Sequence, residues 1–550
     1  MALEYININN TAIDALVPTD NITLNEIKNY YNIGNVTKNT IPVINGLNSL
    51  GYKSSYFKNE LDNQLHILPS FYDLGFIAEY TEKTIELWNT FPTVKQITSI
   101  NIDENQNISI LENPTLPINI DSNNSVVYTL AIENYGTDLS TDIVFTISGQ
   151  QVNLQLSGFR AILFDFDHNW INQFTERYEF NTDINRSKNW SEQRLQLRPT
   201  AIYQCDYYYS LKKTNKQKLD AILYNNINSM YSLPLYIYLK RPEFFGVNTI
   251  TLKDIKNSVF QVGMNILIKD GINKEQAVIS SINGNTLTLI DNIRNSYNVN
   301  KSIILPLIFA RTTSVRTQAL ATEYVNYEIT FEKDDDDGIN MLEVNNPEVV
   351  IDKINDVNFF KMLPNTTLEH SKNYLYNTVI EDNGYSVKRY FNYGNKAEIS
   401  QGYEILMGRP TDFSYVKKLF DNQKGAYQDL YYNNYSADIK IVENINAGDT
   451  IIVIGNINAA SFYRNKDIDH ICINYNNNKK ICKFIDIYKL DDNREAVVLE
   501  TSINESINLR SINYVNFIFK GRLVDDTLEI NYTTDGLATF NINFIKNTDI

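Results

Sequence analysis

Leu195-Gln-Leu-Arg-Pro-Thr200 and Leu406-Met-Gly-Arg-Pro-Thr411 are near copies, and the sequence after each copy repeats as well. Asn248-Thr-Ile-Thr-Leu252 is echoed by Asp449-Thr-Ile-Ile-Val453. Leu305-Pro-Leu-Ile-Phe-Ala-Arg311 is echoed by Val515-Asn-Phe-Ile-Phe-Lys-Gly-Arg522, and Tyr327-Glu-Ile-Thr-Phe331 by Phe540-Asn-Ile-Asn-Phe544. The offset stays within about 200–213 residues over four ordered matches. Solenoid repeats run about 20–50 residues, so this period indicates two copies of a whole domain. Such a duplication suits a low-order oligomer that docks on a higher-order symmetric partner.

The chain has 550 residues, more than one core accommodates, so several domains are expected. Its 43% hydrophobic and 12% aromatic content supports packed cores rather than disorder. The net charge of −16 argues against a general basic surface for nucleic acid. Cys205, Cys472 and Cys482 contain no CxxC pair and read as buried free thiols of a reducing cytosol. The start lacks a secretory signal pattern, and no apolar stretch reaches about 18 residues, so no membrane insertion is expected.

The predicted organisation is mainly β with minor α. Residues 1–65 form an N-terminal arm or cap. Residues 66–157 form a β-sandwich, with strands at Thr84–Trp88, Val126–Ile132 and Thr141–Ile147, rich in β-branched and aromatic residues. Residues 158–335 form repeat 1, with strands at Phe159–Phe166 and Glu176–Phe180, a helix within Leu211–Tyr231 and a barrel-like β module at 246–310. In that module Asn283-Gly-Asn285 is a hairpin turn between Val278–Ile282 and Thr286–Ile290. Residues 336–364 form a linker after the charge run Lys333–Gly338. Residues 365–550 form repeat 2, with its own β module at 447–520 and hairpin strands around Cys482–Tyr488 and Glu495–Thr501.

No motif points to catalysis or to a cofactor. The four histidines, His66, His168, His370 and His470, are scattered. Asp165, Asp167 and His168 lie close together, and a polar strand end fits them better than a metal site. The acidic run fails as a calcium loop, because Gly338 in the turn position places Lys333 and Val344 where carboxylates are required. Phosphate-loop, dinucleotide and nucleophile-elbow patterns are absent. The densest polar motif is Glu192-Gln193-Arg194, continuing to Arg198. In a strand, Arg194, Gln196 and Arg198 share one side, and their planar forks suit pinning the repeat or a neighbouring subunit.

Phe166-Asp-His-Asn-Trp170, Glu176-Arg-Tyr-Glu-Phe-Asn-Thr-Asp183-Ile184, Ser191-Glu-Gln-Arg194 and Leu197-Arg-Pro199 together resemble a signature of tail-tip proteins of long-tailed bacteriophages. Leu87-Trp88-Asn89 resembles the strand that precedes the β-sandwich in that family. The likeness covers roughly residues 70–335. Asn189-Trp190-Ser191 stands where the family has glycine, and Arg198-Pro199-Thr200 where it has Pro-Arg. The resemblance implies two tail-tube-like units and a structural virion protein of the tail tip or baseplate, a tail hub or distal tail ring, made in the host cytoplasm. It implies no enzymatic activity and no cofactor. Interface candidates are Trp170, Asp183, Glu192, Gln193, Arg194 and Arg198, with Arg409 from the second copy. Implied partners are the chain itself, the tail tube protein and other baseplate or fibre proteins, with phage DNA passing through the lumen unbound. Two repeats per chain favour a homotrimer that offers six near-equivalent domains; a homohexamer is second. The alternatives are a receptor- or glycan-binding adhesin and a tail-associated hydrolase.

Overall fold

The structure is a computed structural model. It describes residues 63–547 except 78–79, 104–105, 113, 134–137, 167, 171, 189, 226–228, 272, 322–323, 335–337, 383, 386, 393–395, 464–467, 477 and 535. The expected arm at 1–65 therefore lies almost wholly outside the described residues, as do Asp167 and most of the acidic run. The chain divides into two compact units, residues 1–162 and 163–550.

The first unit is a β-sandwich, as its alternating strands predict. Strands β1 (Leu65–Leu68), β3 (Thr81–Asn89), β7 (Asn124–Ile132) and β5 (Ile108–Ile110) form one sheet. Strands β2 (Phe71–Ile77), β9 (Gln150–Arg160), β8 (Leu139–Ile147), β4 (Lys95–Asn101) and β6 (Ile118–Ile120) form the other. Period-2 alternation sends Ile85 and Leu87 of one sheet and Ile143, Phe145, Leu154 and Leu156 of the other into one core. Burying each such side chain contributes about 1.5–3 kcal/mol. Asn89 is fully buried and donates its amide to Thr93, Ile120 and Asp121 carbonyls at 2.9–3.0 Å, fixing the loops at one end of the sandwich. The strand expected over Phe159–Phe166 is interrupted: β9 ends at Arg160, and β10 is only Ile162–Leu163.

The second unit has two halves. The first contains β11 (Phe174–Glu179), the hairpin β12–β13 (Thr182–Arg186, Glu192–Gln196), β14 (Ile202–Lys212) and helix α1 (Lys213–Asn225). It continues with β15 (Tyr231–Pro234), β16 (Pro242–Phe245), β17 (Thr249–Leu252), β18 (Asn265–Lys269), β19 (Lys274–Asn283), β20 (Thr286–Leu289), β21 (Ile303–Ala321) and β22 (Tyr324–Lys333). The pairing runs β15–β21–β22–β14–β11, with a side module ordered β17–β20–β19–β18 on β21. The β19–β20 turn is the one its Asn-Gly-Asn sequence predicts, with Gly284 at a φ of 55°. In β14, alternate residues Tyr203, Cys205, Tyr207, Tyr209 and Leu211 are buried.

The second half opens with β23 (Lys353–Ile354) and β24 (Val357–Phe360). Next come β25 (Ser371–Leu375), the hairpin β26–β27 (Thr378–Glu381, Arg389–Asn392), β28 (Glu398–Met407) and helix α2 (Pro410–Gln423). Then come β29 (Leu430–Asn433), β30 (Ile451–Gly455), α3 (Ala459–Phe462), β31 (His470–Tyr475), β32 (Asn478–Lys489), β33 (Arg494–Leu499), β34 (Ile512–Leu523), β35 (Thr527–Thr534) and β36 (Leu537–Lys546). Its pairing runs β29–β34–β36–β28–β25, with a side module ordered β30–β33–β32–β31 on β34. The segment expected as a linker is packed: Met341, Leu342, Val349, Ile351, Phe359 and Phe360 are buried.

One of the sequence matches does not survive the fold. Arg198-Pro199 lies ahead of β14, whereas Arg409-Pro410 follows β28 and opens α2, so the two dipeptides hold different places. A proline at the first helical position loses no hydrogen bond, which is why α2 starts there. The Asp412 carboxylate accepts from the Arg409 backbone N–H at 3.1 Å. Helix α2 ends with Lys424 and Gly425 at positive φ, and a Cβ on Gly425 would lie 2.3 Å from Asp526 Oδ1.

Candidate functional site at the junction of the halves

The two halves join through an antiparallel ladder between β11 and β35, from Phe174↔Tyr532 to Glu179↔Thr527. Thr175 donates to Asn531 at 2.8 Å, and Arg177 meets Glu529 at 2.8 Å. Beneath the ladder Glu176 is fully buried and receives Lys417 Nζ of α2 at 2.8 Å. It also accepts from the Tyr203, Tyr238 and Tyr532 hydroxyls at 2.6–2.9 Å. Burial pushes the Glu176 carboxyl up, but Lys417 and the tyrosine hydroxyls outweigh it and hold the group below the usual carboxylate range. Removing one partner of such a pair costs about 3–5 kcal/mol. Sequence reading missed this pair; the available signal was an acid alternating with Phe174 and Tyr178, and a lysine among Tyr415, Val416 and Leu419.

A second clasp contains two residues of the polar motif, Glu192 and Arg194. Hairpin β12–β13 pairs Asp183 with Leu195 and Asn185 with Gln193. Its inward side carries Glu192 and Arg194, while Leu195 and Leu197 face outward and are exposed. Arg522 grips Glu192 with two hydrogen bonds of 2.8 Å, and Arg186 reaches the same carboxylate at 2.6 Å. Arg186 also donates to Glu398 at 3.1 Å. Arg194 donates to Glu192 at 3.0 Å, Asp429 at 2.8 Å and the Tyr427 carbonyl at 3.1 Å. Burial pushes Glu192 up, yet the guanidiniums of Arg522 and Arg186 bring it down to about 2. Burial raises Glu398, with Glu192 adding to it against the pull of Arg186. Glu192, Arg194, Glu398 and Asp429 line a polar cavity of about 700 Å³ together with Trp190 and Asn547. The fork geometry suits a rigid clasp between halves.

The remaining candidates lie elsewhere. Asp183 and Gln193 are exposed. Arg198 donates to the Glu179 carbonyl at 3.3 Å, and Arg409 caps α2. Trp170 is partly exposed and packs edge-on to His168 at 4.7 Å. Burial pulls His168 down to about 4, and its Nδ1 accepts from the Tyr208 N–H at 3.2 Å. Asp165 is occupied by Lys269 at 2.9 Å, by Lys274 and by the Tyr236 hydroxyl. Among the described residues no cluster has metal-ligand character, and no helix is long and apolar enough to cross a membrane. All three cysteines are buried and free.

No protein-family profile matches the chain, and no curated protein matches it.

Proposed function

We propose that the chain is a structural virion protein of a phage tail tip or baseplate, built from a duplicated tail-tube-like unit and assembling into a ring or hub. The observation that carries this reading is the recurrence of one pairing plan in both halves. Strands β11, β14, β15, β21 and β22 on one side have β25, β28, β29, β34 and β36 on the other, joined in the same order. The register repeats as well. Ala310↔Lys333 answers to Gly521↔Lys546, and the bulge between Ala319 and Ala321 answers to the bulge between Tyr532 and Thr534. The signature residues Glu192 and Arg194 form the clasp between the units, which fits a structural role for that motif.

On this reading three copies present six similar units to a sixfold tail tube. Native mass spectrometry with negative-stain class averages tests it. A trimer with a six-lobed face is expected. A ring of six identical lobes transfers the assignment to a distal tail ring, and a monomer under all conditions overturns it.

A further inference from the structure

The β11–β35 junction uses one outer edge from each half, and each half has a second edge of the same kind. The outer edge of β11 is taken by β35. The corresponding edge of β25 has, among the described residues, a strand only on its β28 side. The outer edge of β35 is taken by β11. Its counterpart, residues 312–318 of β21, has a strand only on its β22 side. Exposed strand edges left unpaired are templates for another chain.

We propose that a second copy of this chain fills these edges: residues 314–318 of β21 pair antiparallel with β25 of the next copy, in the register of β11 with β35. The proposal rests on the ring reading above and names its contact.

The register follows from the internal ladders. Pairings β11–β14 and β25–β28 place Thr175, Glu176 and Tyr178 opposite the same strand positions as Ser371, Lys372 and Tyr374. Pairings β21–β22 and β35–β36 place Val315, Thr317 and Gln318 where Leu528, Ile530 and Asn531 stand. The internal pair Thr175↔Asn531 then becomes Ser371↔Gln318, two polar side chains again. Tyr178↔Leu528 becomes Tyr374↔Val315, a tyrosine against an aliphatic side chain again. Tyr178 and Leu528 are 0% and 4% exposed, whereas Tyr374 and Val315 are 52% and 44% exposed in the single chain.

The buried ion pair also has a counterpart. Lys417 is the eighth residue of α2, and Asp220 is the eighth of α1. Glu176 corresponds to Lys372. The pair Glu176–Lys417 across the halves thus becomes Lys372–Asp220 across copies, with the charges exchanged between strand and helix. In the single chain Asp220 contacts Lys216 at 3.1 Å and the Tyr327 hydroxyl at 2.6 Å, and its carboxylate remains about half exposed. The edges are of different kinds, so the contact is head-to-tail and closes into a ring or continues as a fibre.

Two experiments test the contact on the full chain. In the first, Asp220→Lys and Lys372→Asp are made singly and together. Each single change sets like charges together and weakens assembly by about tenfold or more; the double change restores it. A double variant no better than the worse single overturns the pairing. In the second, which does not depend on Asp220, Val315→Cys and Tyr374→Cys are combined and treated with a short thiol cross-linker. A series of bands ending at three copies is expected, and Val315→Cys with Asn373→Cys, on opposite strand faces, gives none. A ring that forms without cross-linking overturns this register and leaves the ring reading standing. Cross-links running on beyond three keep the register and overturn the ring of three. A monomer that does not cross-link overturns both.

Discussion

Hairpins β12–β13 and β26–β27 each follow a strand at the end of their half's pairing order, yet their surroundings differ. The first is clasped by Arg522, Asp429 and Glu398 from the other half. The second exposes Val379, Ile380, Tyr390 and Phe391. Each is closed by its own ion pair, Arg186–Glu192 at 2.6 Å and, with the signs reversed, Lys388–Asp382 at 3.1 Å. Helices α1 and α2 differ in the same sense. Tyr415, Val416, Leu419 and Phe420 of α2 are buried, while Tyr224 of α1 is 83% exposed. The hairpin and helix on which the other half packs are covered, and their similar counterparts, with no such neighbour among the described residues, are exposed. Large exposed apolar patches of this kind mark interaction sites.

The largest difference between the two regions is expected at the buried pair. Lys417→Met leaves Glu176 buried and unpaired and is expected to cost about 3–5 kcal/mol in denaturant unfolding. Lys372→Met in the unassembled chain should change stability by less than about 0.5 kcal/mol. Equal losses at the two positions would mean that the halves are not differently covered.

A somewhat smaller contrast is expected at the ladder. Tyr178→Ala empties a fully buried site and should cost about 3 kcal/mol. Tyr374→Ala should spare the single chain and weaken only self-association, as sedimentation velocity would read it.

The hairpin clasp comes next. Glu192→Gln should cost about 1–3 kcal/mol by weakening charge-assisted bonds to Arg522 and Arg186, whereas Lys388→Gln should leave stability unchanged. Because the folded pKa of Glu192 is depressed, its contribution is fully present above 4.5 and is lost as pH falls toward about 2. Glu398, raised by burial, acts in the opposite sense and offsets part of that loss. An acid titration followed by unfolding should therefore show a dependence in this window that Glu192→Gln reduces. The smallest effect is local: amides of 314–318 should exchange faster than those of 528–531 in the single chain and slow on assembly.

Much of this was legible in the sequence, and the reason differs by element. Tyr327–Phe331 and Phe540–Phe544 align without slip because both strands bury every second residue in the same phase. Asn248–Leu252 and Asp449–Val453 fall on β17 and β30, a strand of each side module, but one residue out of step. The Asn248 carbonyl accepts from Leu289, and it is the Thr450 carbonyl that accepts from Leu499. Arg198-Pro199 and Arg409-Pro410 mislead, since a shared dipeptide carries no information about whether a strand or a helix follows. Glu192 and Arg194 stood out as members of the densest polar motif, with Arg194 as a planar fork in a strand. Their partners Arg522 and Asp429 did not, nor did Glu398 opposite Arg186, because pairing across more than two hundred residues leaves no local periodicity. Glu176 and Lys417 were hidden for the same reason.

On the proposed edge pairing, the contact between the halves is repeated between copies. A cryo-EM reconstruction of the purified chain without imposed symmetry tests it most directly. A closed ring of three chains is expected, in which β21 of one copy continues into β25 of the next, with Val315 opposite Tyr374. A reconstruction in which these two edges lie apart, or face solvent in the assembled particle, would contradict it.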